Sequence, residues 1–184
     1  MAVRVLGIDP GLTRCGIGVV ELGTPNFVRF GVARTTARTP HGDRLVSIAR
    51  TVFDAIDEYR PDVIGLERLF AQHNVNTVMG VAQISGLVIH EAAKRGIPLE
   101  LVTPTEVKAA VTGYGAADKR QVTTMVTRLL ALEVAPTPAD AADALAIAIA
   151  VGRRQGRRVA VADEEALTPA QRAWLAAERS ARTK

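Results

Sequence analysis

Four carboxylates carry the chemistry that this sequence can do: Asp9, Glu67, Asp140 and Asp143. Asp9 closes the apolar run "VLGID" and is followed at once by the turn residues Pro10 and Gly11. Glu67 ends a second apolar run, "DVIGLERLF". A charge at the tip of a core strand is costly unless it is paired or bound to a cation. Asp140 and Asp143 sit three apart in the alanine-rich "TPADAADALAIAIAV". On a helix that spacing puts both on one face, about 5–6 Å apart, where like charges repel. Each acid also has a plainer reading. Asp9 can shape its own turn, and Glu67 can be an exposed acid. Thr137, Pro138 and Asp140 resemble an N-cap, N1 and N3 of a capping box. For Asp143, in the second turn among alanines, that plainer reading is weak.

Taken together, four carboxylates without a matching His or Cys cluster prefer hard cations, Mg²⁺ or Mn²⁺ over zinc. Two such ions about 4 Å apart suit in-line phosphoryl displacement. That chemistry needs acids from separate elements, so the elements must converge. Residues 3–9, 14–22 and 27–36 read as strands joined by tight turns, an antiparallel meander. The period then becomes helical: Leu45, Ile48, Ala49, Val52, Phe53 and Ile56 recur, with Asp43 as the expected N-cap and Pro61 as the stop. A strand over 62–70, a long helix over 76–96 and a strand over 98–103 follow, then helices at 105–112, 117–132 and 138–152. The β–α–β returns favour parallel pairing. The expectation is therefore an α/β fold with a mixed five-stranded sheet, antiparallel meander plus parallel strands, flanked by helices. In such sheets, sites form at the carboxyl ends of the strands. The small alanines of 138–152 allow that helix a close approach to its neighbour.

Composition bounds the rest. The chain has 184 residues, 48% of them hydrophobic, enough for one globular domain with a tail. Residues 152–184 hold eight Lys/Arg and four Asp/Glu, so the net charge of +4 belongs wholly to the tail. We therefore expect one globular domain over 1–152 and a basic, flexible tail over 153–184. Cys15 is the single cysteine, which excludes an intrachain disulfide and suits a reducing, cytoplasmic setting. No basic-then-apolar leader is evident, and the longest apolar run is too short to span a bilayer. The helix at 76–96 is apolar nearly all round, which suggests burial on two sides and a partner. Gly80, Ser85 and Gly86 would allow that partner close.

In order along the chain, "GIDPG", "LERLF", "GYGAADKRQV" and "ADAADALAIAI" resemble the RuvC family of Holliday-junction resolvases, the crossover junction endodeoxyribonucleases, over roughly residues 3–152. The resemblance implies a ribonuclease-H-like fold and a homodimer. It implies a structure-specific DNA endonuclease that resolves four-way junctions by symmetric, Mg²⁺-dependent nicking of two strands in recombination and repair. Two ions per active site are implied when substrate is bound, with Mn²⁺ as substitute. By position, the family's metal-binding acids fall on Asp9, Glu67, Asp140 and Asp143. Its DNA-contacting lysines fall on Lys108 and Lys119. Phe70 matches an aromatic that meets bases at the opened junction. Arg14, Arg68 and Arg120 are further backbone-contact candidates, and His73 and Asn74 could lie on the DNA side. The family also works beside a junction-binding branch-migration helicase complex. Other classes fit less well. An actin-like phosphotransferase needs two such domains, and no Walker-type "GxxxxGK[ST]" is present. A non-catalytic DNA binder has no need of four acids that repel phosphate. A related nuclease acting on RNA is separated from this reading only by the family likeness.

Overall fold

The strands are built where β-branched and aliphatic residues run together, and their pairing decides what meets what. In the computed structural model, residues 3–21, 27–68, 75–162 and 168 are described. β1 (Arg4–Asp9), β2 (Arg14–Glu21) and β3 (Phe27–Arg34) form the meander; α1 (His41–Tyr59), β4 (Val63–Glu67), α2 (Val75–Lys94) and β5 (Leu99–Val102) follow. The helices α3 (Pro104–Thr112), α4 (Lys119–Leu129) and α5 (Ala139–Ala162) complete the order. The sheet runs β3-β2-β1-β4-β5. β1 pairs antiparallel with β2 and parallel with β4; β4 pairs parallel with β5. This is the mixed five-stranded sheet expected from the pattern.

Both faces of the sheet are covered. Leu6, Ile8, Ile17, Val19, Ile64 and Leu66 pack with Ile48, Val52 and Ile56 of α1 and Ile84 and Val88 of α2. On the other face, Val5, Val20, Val63 and Val102 meet α3, α4 and the fully buried run Ala144–Val151 of α5. Alternation therefore assigns each strand residue to a face. The strand tips Asp9 and Glu67 fall on the α5 face, in step with Gly7 and Gly65.

α5 lies almost on the backbone of the sheet. A Cβ at Gly7 would stand 2.1 Å from the carbonyl oxygen of Ala144, and one at Gly16 would stand 2.1 Å from that of Asp140. Gly18 and Gly65 likewise leave no room. Alanines on the helix and glycines beneath it make the approach possible.

Two helix starts differ from the sequence expectation. Pro40, not Asp43, is the N-cap of α1, and Asp43 sits in its first turn. α5 begins at Ala139, one residue after the expected start, and the capping box that Thr137 and Asp140 offered as a plainer reading of Asp140 does not form. Capping boxes do form at Thr103 with Glu106 and at Asp118 with Gln121. The chain divides into two compact units, Met1–Gly152 and Arg153–Lys184. Among the described residues no helix is long and apolar enough to cross a membrane.

Gly16→Ala should therefore cost at least about 3 kcal/mol in urea unfolding, the range of severe core overpacking. Gly31→Ala, with nothing within 4 Å of its Cβ, should stay near the wild-type midpoint. Equal midpoints for the two variants would mean that α5 does not rest on the sheet as described.

Candidate functional site

Sheet register brings the first two acids together. Gly7 pairs with Gly65 and Ile8 with Leu66. One further step sets Asp9 beside Glu67, at the roughly 4.8 Å spacing of neighbouring strands. Asp9 also pairs across β2 with Gly16, the residue on which the Asp140 carbonyl rests. The first turns of α5 thus stand over the tip of β1, bringing Asp140 and Asp143 with them. Lys119, the first residue of α4, completes the group: its ammonium is 3.2 Å from an Asp143 carboxylate oxygen. Arg14 opens β2 and lies 3.3 Å from a carboxylate oxygen of Asp140.

The electrostatics follow from that crowding. Asp9 is pushed up to about 7, first by burial and then by the charges of Glu67, Asp143 and Asp140, with Lys119 opposing. Glu67 is raised too, by burial first and then by the charge of Asp143. A hydrogen bond with Asp9 and the charge of Lys119 pull Glu67 the other way. Lys119 is held cationic, chiefly by Asp143. Asp9 thus feels the charge of the other three carboxylates at once.

Among the described residues no three of these side chains are drawn close enough to hold an ion in the conformation shown. Two of the acids are turned instead to Arg14 and Lys119. The donor chemistry nevertheless fits a hard divalent cation, since every group is a carboxylate oxygen. Cys15 is no competitor as a ligand: it lies in the core beneath α1 and α2, and burial pushes its thiol up to about 12.

The remaining sequence candidates scatter. Lys108 is half-buried on α3 and is not among the charges acting on Asp9 or Glu67. Arg68 is exposed just past β4, its backbone N–H donating to the Val102 carbonyl. Arg120 is exposed beside Lys119 and lines a cavity of about 550 Å³ with Thr112, Tyr114, Gln121 and Met125. Phe70, His73 and Asn74 lie outside the described residues. The sequence reading missed Arg44. Its guanidinium donates to the Thr35 hydroxyl (3.0 Å) and the Thr13 hydroxyl (2.9 Å). Thr35 in turn donates to the Leu12 carbonyl. Arg44 thereby fixes the turn between Asp9 and Arg14, and a separation of 31 residues leaves no local signal for it.

The sheet order, its helical layers and an acid cluster at the strand tips define a ribonuclease-H-like fold of the nuclease type. A family model described as "Crossover junction endodeoxyribonuclease RuvC" matches residues 5–151, and the chain belongs to that family. The protein of that name from Paenarthrobacter aurescens (strain TC1) is 53% identical over 100% of both chains. That from Leifsonia xyli subsp. xyli is 52% identical over 98% of this chain and 94% of its own. The solved structure of T. thermophilus RuvC in complex with a Holliday junction substrate superposes with a TM-score of 0.78 at 33% identity. It covers 84% of this chain and 96% of that one. The yeast mitochondrial Holliday junction resolvase Ydc2, at 18% identity and a TM-score of 0.57, shares the fold.

A carboxyl group whose folded value lies above its unfolded one favours the fold fully at low pH and loses that favour as pH rises. With Asp9 raised from 3.8 to about 7, the loss falls between about pH 4 and 7. In chelator, Asp9→Asn should gain stability over wild type through that window, reaching on the order of 1–3 kcal/mol at pH 8. Thermal melts across the range check this; parallel pH curves for the two proteins would contradict it.

Proposed function

We propose that this chain resolves four-way DNA junctions as a divalent-metal-dependent endodeoxyribonuclease, nicking two strands symmetrically during recombination and repair. The observation that carries the reading is the gathering of Asp9, Glu67, Asp140 and Asp143 from three separate elements, in a chain of this family. Asp9 and Glu67, raised by burial and mutual repulsion, are the groups most relieved by a bound cation. In this reading all four acids hold Mg²⁺, with Mn²⁺ as substitute, and two ions are held when substrate is present. Bound ions of this kind activate a water and stabilise the departing oxygen of the phosphodiester.

The chain's own cations do the rest. Lys119, held protonated beside the acids, can pass from Asp143 to a phosphate oxygen. Arg14 can do the same from Asp140. Both pairs are largely exposed on the cationic side, so separating them costs little. Arg120, Arg68 and Lys108 are proposed as backbone contacts farther from the cut, and Phe70 as a base-stacking group.

The working unit is proposed to be a homodimer, because a two-fold junction calls for two symmetric cuts. α2 supports this with an outward stripe in which Met79 is 54% and Ile89 43% exposed, with Ala82 and Gly86 between them. Gly80 does not belong to that stripe: it packs on Leu12 of the same chain, and Ser85 is buried. A cytoplasmic setting follows from the DNA substrate, and a junction-binding branch-migration helicase complex is the proposed partner.

Asp143→Asn should lower nicking of a labelled synthetic four-way junction by about two orders of magnitude or more. Junction binding in chelator should remain, and Mg²⁺ should raise the melting temperature of wild type more than that of the variant. Wild-type nicking by this variant would remove Asp143 from the site. Met79→Glu with Ile89→Glu should convert a sedimenting dimer to monomer at micromolar concentration and uncouple the paired cuts. A wild-type chain that sediments as a strict monomer would overturn the dimer.

A further inference from the structure

β2 and β3 place two arginines directly opposite each other. Arg14 and Arg34 are Cα partners in the antiparallel register, and both are exposed. Like charges at facing positions of a strand pair are destabilising. Arg14 reaches Asp140, whereas among the described residues Arg34 forms no ion pair. The strand ends are nevertheless fastened at this point. Arg44 bridges the hydroxyls of Thr13 and Thr35, the residues next to each arginine, and the Thr35 N–H donates to the Thr13 carbonyl at 3.0 Å. The fold therefore holds the backbones that carry the two cations side by side.

Their face and position are informative. Ala33 and Cys15 belong to the core under α1 and α2, so Arg34 and Arg14, one step along, emerge on the α5 face with Asp9 and Glu67. Asp9 pairs with Gly16, two residues along β2 from Arg14, which is about 7 Å farther out along the strand. β3 lies two strands from β1, about 10 Å to the side. Arg34 thus stands too far from the acids to touch the phosphate they would act on. It is well placed for a neighbouring phosphate of the same strand.

We infer that Arg34, paired with Arg14 across β2 and β3, is a further contact for the phosphodiester backbone of a junction strand, beside the acid cluster on its β3 side. Arg44, bonded to Thr13 and Thr35, fastens the strand ends that carry the two arginines. The inference rests on the junction-binding reading above. A phosphate between the two guanidinium groups turns a repulsive pair into a favourable one.

The test is binding of a labelled four-way junction to the full chain, in chelator, between about 50 and 200 mM salt. Arg34→Ala should weaken binding about five- to tenfold and reduce the slope of log K against log salt by about one. Arg34→Lys should restore the slope. Arg50→Ala, on α1 behind the opposite face, removes the same charge and should change binding less than twofold by the same reasoning. Arg34→Ala should also melt no lower than wild type at low salt, because a like-charge pair is relieved. An unchanged slope in Arg34→Ala, or a loss no larger than that of Arg50→Ala, overturns the inference while leaving junction binding by wild type intact. Wild type that binds no junction overturns the parent reading and this inference with it.

Discussion

The structure depends on a helix laid against bare sheet backbone. α5 brings carbonyl oxygens to within 2.1 Å of where side chains would begin at Gly7 and Gly16. Any side chain there would lift the helix away from the strands. The cost would exceed lost packing, because Asp140 and Asp143 ride on the first turns of that helix. Their distance from Asp9 is fixed by the absence of two Cβ atoms. The same contact buries Ala144–Val151 completely, so the apolar burial that anchors the helix also aims its acids. Stability and site geometry are here one constraint rather than two.

Against that rigid base, the acids sit in electrostatic tension. Burial and mutual repulsion raise Asp9 and Glu67, while Arg14 and Lys119 draw on Asp140 and Asp143. A cluster built only for stability would favour apolar residues at these positions, since ionised groups away from water gain little even when paired. The cations here are mostly solvent-exposed, so their pairs contribute little and separate readily. Such an arrangement suits a site meant to exchange partners. In the proposed reading, a phosphate draws off the cations as divalent ions satisfy the acids.

Much of this was legible in the chain itself. The strand runs, the change of period at Leu45 and the placing of Asp9 and Glu67 at strand tips all follow from local pattern, and the structure has them. The alanines of α5 signalled close approach, though not the glycines that receive them. The failures have physical causes. The plainer reading of Asp140 as part of a capping box rested on the letters of "TPAD", yet the helix starts one residue later and Asp140 turns to Arg14. Gly80 read as a partner-facing gap, but Leu12 fills the space beside it from within the chain. Arg44 carried no signal, because its role lies in hydrogen bonds to residues distant along the chain.

The facing arginines show how register reveals what composition hides. Summed over residues 1–151 the charge is zero, which reads as a neutral body with nothing to offer a polyanion. The sheet undoes that average locally. Pairing β2 with β3 in this register sets Arg14 against Arg34, and a slip of a single residue would send one of them to the opposite face. Parallel pairing of β1 with β4 sets Asp9 against Glu67 on the same face. One layer of strands thus sorts acids to its centre and bases to its flank at the same end. Separated signs of this kind are what a phosphodiester backbone and its counterions require of a surface, and net charge alone is blind to them.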